Sequence, residues 1–153
     1  MILALCLLIG VVAGLRAMTA PAAVAWAAYL GWLPLGGTPL AFLAHVAAPC
    51  VFTVLAVVEL IGDQLPKTPS RKVPVQFGTR IVMGALCGAA IAAPSGQLVI
   101  GLLAGVIGAA AGTLGGAAAR SRLARAFGRD LPAGLLEDVV AVGGAWLIVC
   151  CAR

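Results

Sequence analysis

Six apolar segments follow one another along the chain, separated by short breaks that are polar or rich in proline and glycine. They cover residues 2–15, 17–33, 40–62, 80–93, 96–119 and 134–152. About 20 apolar residues of helix are needed to cross a hydrocarbon core roughly 30 Å thick. The segments 2–15, 17–33 and 80–93 are shorter, so each is tilted, broken or half of a hairpin. The pattern predicts an all-α integral membrane protein with about six short transmembrane or half-spanning helices.

Composition supports one transmembrane domain over residues 1–153. The chain is 63% hydrophobic and 10% charged, whereas soluble domains are about 45–50% apolar and about 25% charged. The net charge of +5 comes from residues beside the apolar segments, which favours contact with membrane lipids over nucleic acid. The five cysteines lie in apolar segments without a Cys-x-x-Cys pair. The sequence therefore predicts no metal site, no cofactor and no nucleic-acid partner.

Two basic connections predict the orientation of the segments. Residues 64–79 contain Lys67, Arg71 and Lys72, and residues 120–133 contain Arg120, Arg122 and Arg125. Two apolar segments lie between these connections, so both connections face the same side. The positive-inside rule makes that side cytoplasmic. We therefore expect a multi-pass protein of the bacterial cytoplasmic (inner) membrane with both termini outside.

The same count divides the chain into two groups of three segments, residues 1–75 and 76–153. The first group begins outside and the second begins inside, which is the geometry of an inverted repeat. Each half also contains an arginine before a later acidic cluster, although charge placement alone can produce that similarity. Two inverted three-helix halves are therefore a hypothesis.

Glycines recur at intervals of one helical turn in the fifth segment. Small residues allow helix backbones to approach closely in a membrane, where lipid gives helices no hydrophobic reason to associate. The chain contains 20 glycines, so some of this spacing arises from abundance alone. We expect the fifth segment to pack tightly, either within one subunit or across a homo-oligomer. The packing positions are Gly101, Gly105, Gly108, Gly112 and Gly116.

Charged residues next to or within the apolar segments are candidates for a solute or ion site. These are Arg16, Glu59, Asp63, Glu137 and Asp138. Charge at membrane depth is costly and usually faces a cavity or a partner. The alternatives are interfacial charge for Glu59 and Asp63, helix N-terminal carboxylates for Glu137 and Asp138, and an arginine that snorkels to the interface for Arg16. We expect Glu137 to lie near Arg16 or near the Glu59 and Asp63 pair.

Three motifs together resemble a family of small bacterial membrane proteins. They are Gly14-Leu15-Arg16 followed by Pro21, the segment from Glu59 through Asp63 to Pro66, and Leu136-Glu137-Asp138. In this order they resemble the domain-of-unknown-function 4126 family over nearly the whole chain. Members usually read Asp-Lys-x-Pro where this chain has Asp63-Gln64-Leu65-Pro66. The resemblance implies a membrane setting without an established activity, and it adds Pro66 to the positions that merit testing.

Three functions fit these features. The first is a small transporter or channel with a polar site of carboxylates and an arginine near the cytoplasmic side. The second is a non-transporting membrane scaffold that binds anionic lipid or a partner protein. The third, an enzyme that acts on a lipid phosphate head group, is the least supported because no catalytic motif is present. We favour the transporter or channel, and we predict no enzymatic activity.

Overall fold

The computed structural model describes residues 1–62 and 74–153, and within these ranges the chain is helical with no strand. The sequence-predicted fold class is confirmed. In this part of the chain, two short 3-10 turns, Ala41–Ala44 and Ala93–Ser95, accompany six helices. The helices are α1 (Ile2–Leu15), α2 (Thr19–Tyr29), α3 (Ala47–Gly62), α4 (Pro74–Ala92), α5 (Leu98–Phe127) and α6 (Asp130–Cys151).

The predicted connection at 120–133 is wrong, because α5 continues through its basic residues to Phe127 and α6 begins at Asp130. Alanine, arginine and leucine dominate residues 117–126, and all three are good helix formers. Gly128 ends α5 with a left-handed backbone, φ 68°, which glycine adopts without steric cost. Polarity in this stretch therefore marks the end of the apolar surface and not the end of the helix.

Two further boundaries differ from the prediction. Residues 74–79 belong to α4, and the third helix begins at Ala47 instead of residue 40. The preceding stretch is rich in proline and glycine and forms turns, with Thr38 Oγ1 donating to the carbonyl oxygen of Leu35 at 2.7 Å. Asp63, Pro66, Lys67, Arg71 and Lys72 lie outside the described residues.

Neighbouring helices run in alternating directions. Glu59 near the end of α3 reaches Ala17 just before α2, while Trp26 further along α2 donates to Thr53. Arg16 after α1 pairs with Asp138 in the first half of α6. Because the helices alternate in direction, residues 16–18, the end of α3 and the α5–α6 turn all lie at one end of the bundle. We call it the charged end. Met1, Trp32, Ser95 and Trp146 lie toward the other, the tryptophan end.

Helices α1, α4 and α5 form the most tightly packed part of the molecule. A Cβ added at Gly105 would lie within 3.0 Å of the backbone of Gly84, and one added at Gly108 would lie equally close to the backbone of Leu7. Gly101 faces Gly88 and Gly112 faces Val11 in the same way. Gly116 is buried. The fifth helix thus packs between α1 and α4 within one chain.

The outer surface of the bundle is apolar. Val58, Val99, Ile107 and Leu147 are each at least 60% exposed, whereas soluble monomers rarely expose large contiguous apolar patches. Within the described residues, three helical stretches are long and apolar enough to cross a membrane: Pro74–Ser95, Leu98–Ala126 and Leu131–Cys151. Helices α1 and α3 are apolar but shorter. The fold is that expected of a protein whose solvent is lipid.

Candidate functional site

A break between α1 and α2 lies at the centre of the candidate site. Helix α1 ends at Leu15, Arg16 has an extended backbone (φ −137°, ψ 112°), and α2 begins at Thr19. Pro21 fits the first turn of α2, where a missing N–H costs nothing, but it would disrupt a continuous helix. The break leaves backbone carbonyl and N–H groups that require partners outside the helices.

Glu59 and Arg80 supply those partners from two different helices. The Glu59 carboxylate accepts hydrogen bonds from the backbone N–H groups of Ala17 and Met18, both at 2.8 Å. Arg80 Nη1 donates to the carbonyl oxygens of Gly14 at 2.7 Å and Leu15 at 2.5 Å. Arg80 Nη2 lies 3.6 Å from Glu59 Oε1. One ion pair therefore binds both sides of the break.

Arg16 itself points into the bundle. Its side chain is 0% exposed, and Nη2 forms an ion pair with Oδ1 of Asp138 on α6. A snorkelling arginine would keep its guanidinium in water, so full burial does not fit that alternative. We call Arg16, Glu59, Arg80 and Asp138 the polar network.

The structure separates the two adjacent carboxylates of α6. Asp138 faces Arg16, whereas Glu137 Oε2 lies 3.7 Å from Arg120 Nη1 on α5. The sequence predicts Glu137 near Arg16 or near the Glu59 and Asp63 pair; Asp138 forms an ion pair with Arg16, and Asp63 lies outside the described residues. Consecutive residues on a helix point about 100° apart, so the rotation of α6 about its own axis decides which of them faces the break.

Sequence reasoning missed Arg80 of the polar network and Thr113, which lies beside the break. Arg80 stands at the edge of a predicted loop, but it is a buried residue of α4. Thr113 Oγ1 donates to the carbonyl oxygen of Ala109 at 2.8 Å and lies 3.2 Å from that of Gly14. The available signals were an arginine that opens an apolar segment and a single hydroxyl side chain in the apolar segment 96–119.

The ion pairs connect the two halves of the chain. Arg16 and Glu59 belong to residues 1–75, and each pairs with a residue of the second half. All four network residues lie at the charged end, whereas an inverted repeat would carry an equivalent site to the opposite end. The network therefore gives no support to the repeat, which stays a prediction.

Two cavities adjoin these charges. One of about 290 Å³ is lined by Ala17, Glu59, Thr79 and Arg80 together with apolar side chains of α3 and α4. The other, about 320 Å³, lies between α1, α5 and α6 and includes Arg120 and Glu137. Arg122 and Arg125 are exposed on α5. Within residues 1–62 and 74–153, no cluster of three or more His, Cys, Asp or Glu side chains could hold a metal ion.

Comparison with known proteins gives one match. Neither the curated proteins nor the solved structures include a significant match to this chain. The model of the family described as Domain of unknown function (DUF4126) matches residues 3–151. The match includes every residue of the polar network and of both cavities. This chain belongs to the DUF4126 family.

Proposed function

We propose that this protein is a small membrane transporter or channel and that the polar network is its solute or ion site. The observation that carries the proposal is charge buried inside an apolar bundle. Arg16 and Arg80 are 0% and 3% exposed, and each pairs with a carboxylate of a different helix. Ionisable residues at membrane depth are expensive, and they commonly mark solute or ion pathways.

Glu59 and Arg80 are the residues proposed to contact the solute, because both line the 290 Å³ cavity. The donors that hold Glu59 are two backbone N–H groups and a guanidinium. Anions bind to the same kinds of donor. A small anion entering the cavity would therefore compete with the Glu59 carboxylate, and its binding would be coupled to the α1–α2 break.

A non-transporting scaffold is the second candidate function. The complete burial of Arg16 against Asp138 favours this candidate. A buried ion pair can have a purely structural role, in which it fixes how helices pack. In that case the network holds four helices together and transports no solute. The two candidates differ in whether the 290 Å³ cavity exchanges a solute across the bilayer.

Flux through proteoliposomes separates the candidates. Wild-type protein and Glu59→Gln are reconstituted, and efflux of chloride, nitrate, acetate and phosphate is measured against protein-free vesicles. We expect wild-type flux of at least one anion and a loss of about tenfold or more in Glu59→Gln, because without the competing carboxylate the anion stays bound to Arg80 and the backbone N–H groups and is released slowly. Arg122→Gln, an exposed arginine outside the network, is the matched control and should retain wild-type flux.

Each outcome decides between the candidates. Wild-type flux equal to that of empty vesicles for all four anions, and also for K⁺ and protons, would overturn the transport proposal and leave the scaffold. A Glu59→Gln protein with normal elution and melting but wild-type flux would show that the network is not the site. If Glu59→Gln fails to fold, Arg80→Lys provides the same test, since it keeps the charge and removes the bidentate geometry.

A further inference from the structure

The 320 Å³ cavity between α1, α5 and α6 is a groove that opens on the surface of the bundle. Ala111, Gly115, Ala119 and Val140 line it and are exposed, so it faces the surrounding bilayer directly. None of its lining residues belongs to the cavity at Glu59 and Arg80. We call it the α5–α6 groove.

The shape and chemistry of the groove suit a hydrocarbon chain. Small residues of α5 form one wall, and Leu136 and Val140 of α6 and Val11 and Leu15 of α1 form the others. From Ala111 to Leu123 the lining residues extend along α5 over twelve residue steps, about 18 Å at 1.5 Å per residue. Its volume lies at the lower limit of pockets that hold small ligands, about 300 Å³.

Charge is confined to the part of the groove nearest the charged end, where Leu123 and Ala133 also line it. Arg120 and Glu137 are its only charged lining residues within the described part of the chain, and they lie where the apolar run of α5 ends. Four arginines stand within residues 120–129. An apolar groove that terminates beside arginines complements an amphiphile with a long chain and an anionic head.

We infer that the α5–α6 groove binds one acyl chain of an anionic phospholipid, with the lipid phosphate at Arg120. Glu137 partly neutralises Arg120, so the acyl chain supplies most of the affinity and the head group supplies the preference for anionic over zwitterionic lipid. This site is independent of the polar network, and lipid binding can be measured without any flux.

Gly115 offers a direct way to close the groove. A Cβ built at Gly115 has no neighbour within 4 Å, so Gly115→Leu places a side chain in the groove without displacing a helix. Gly143 on α6 has the same open surroundings and does not line the groove. Gly143→Leu is therefore the matched control, with the same substitution on an exposed helical position.

The experiment counts lipids by native mass spectrometry of the detergent-purified protein titrated with dioleoyl phosphatidylglycerol or dioleoyl phosphatidylcholine. We expect Gly115→Leu to weaken phosphatidylglycerol binding at least tenfold, while Gly143→Leu leaves it unchanged. Arg120→Gln should retain binding but abolish the preference for phosphatidylglycerol. Arg153→Gln, which removes one charge at the tryptophan end, should preserve that preference.

Two results would overturn the inference. Equal lipid binding by wild type, Gly115→Leu and Gly143→Leu would show that the groove holds no lipid. Conversion of an oligomer to a monomer by Gly115→Leu alone, with lipid binding unchanged, would show that a second copy of the chain occupies the groove. Melting temperatures of both leucine variants confirm that the comparison is made between folded proteins.

Discussion

The buried charge of Arg16 stabilises the break between α1 and α2. Its guanidinium is covered completely, and removing a charge from water costs several kcal/mol per ion unless an opposite charge compensates. Asp138 supplies that compensation from α6. Because the break exposes backbone groups that Glu59 and Arg80 satisfy, the position of Arg16 is fixed by both its side chain and its backbone neighbours.

A double-mutant cycle tests this interaction. Arg16→Met or Asp138→Asn alone should lower the free energy of unfolding by about 3–5 kcal/mol, because each removes an opposite charge from an ion pair inside the bundle. The double variant should lose less than the sum, by about 0.5–3 kcal/mol. Thermal or denaturant unfolding in detergent provides the measurement. Strictly additive losses would mean that the two residues do not stabilise each other.

At the residue scale the sequence could identify charges in apolar surroundings but not their partners. Arg16, Glu59 and Asp138 were predicted site residues, and the structure brings them together with Arg80. The choice between Glu137 and Asp138 depends on the rotation of α6, which is set by packing against α1 and α5. Periodicity along one helix contains no information about that rotation, so the partner of Arg16 could not be assigned.

Helix α5 shows how glycine spacing determines the arrangement of elements. Gly105 lies against the backbone of Gly84 on α4 and of Gly10 on α1, and Gly108 and Gly112 lie against the backbone of α1. Positions three or four residues apart share a helical face, so these glycines form one stripe of α5 against which both α1 and α4 pack. Close backbone approach along this stripe supplies the van der Waals contact that lipid cannot replace.

Alanine substitutions on α5 should therefore have opposite effects at two glycines. Gly108→Ala places a Cβ within 3.0 Å of the backbone of Leu7, so α1 must move and stability should fall by about 1–3 kcal/mol. Gly115→Ala meets nothing within 4 Å and should stabilise by about 0.5–1 kcal/mol through helix propensity. Melting temperatures in one detergent compare the two. Equal effects at both positions would contradict the packing.

The sequence predicted the helices more reliably than their ends. Helix α1 matches the expected segment 2–15, because a break with arginine and proline follows it directly. The predicted end of the fifth segment at residue 119 is wrong, because α5 continues through charged residues to Phe127, and arginine and alanine favour helix. Hydropathy indicates where contact with lipid ends. The helix continues beyond that point until a residue such as Gly128 allows the backbone to turn.

The two ends of the bundle differ in charge. Within the described ranges every Asp, Glu, Lys and Arg except Arg153 lies at or near the charged end, while Trp32 and Trp146 contact each other toward the opposite end with ring centroids 5.6 Å apart. Clustered arginine is typical of the cytoplasmic side, and tryptophan is enriched at membrane interfaces. The alternating helix directions place both termini toward the tryptophan end.

Cysteine labelling in intact cells tests this orientation. With the five native cysteines replaced by alanine, Ser95→Cys marks the turn between α4 and α5, and Ser121→Cys marks the basic part of α5; both serines are exposed. We expect an impermeant thiol reagent to label Ser95→Cys rapidly and Ser121→Cys only after permeabilisation, because arginine-rich segments stay cytoplasmic. The opposite labelling would reverse the orientation. Rapid labelling of both would show that the two ends of the bundle do not lie on opposite sides of a membrane, and the proposed transport path between them would then have no basis.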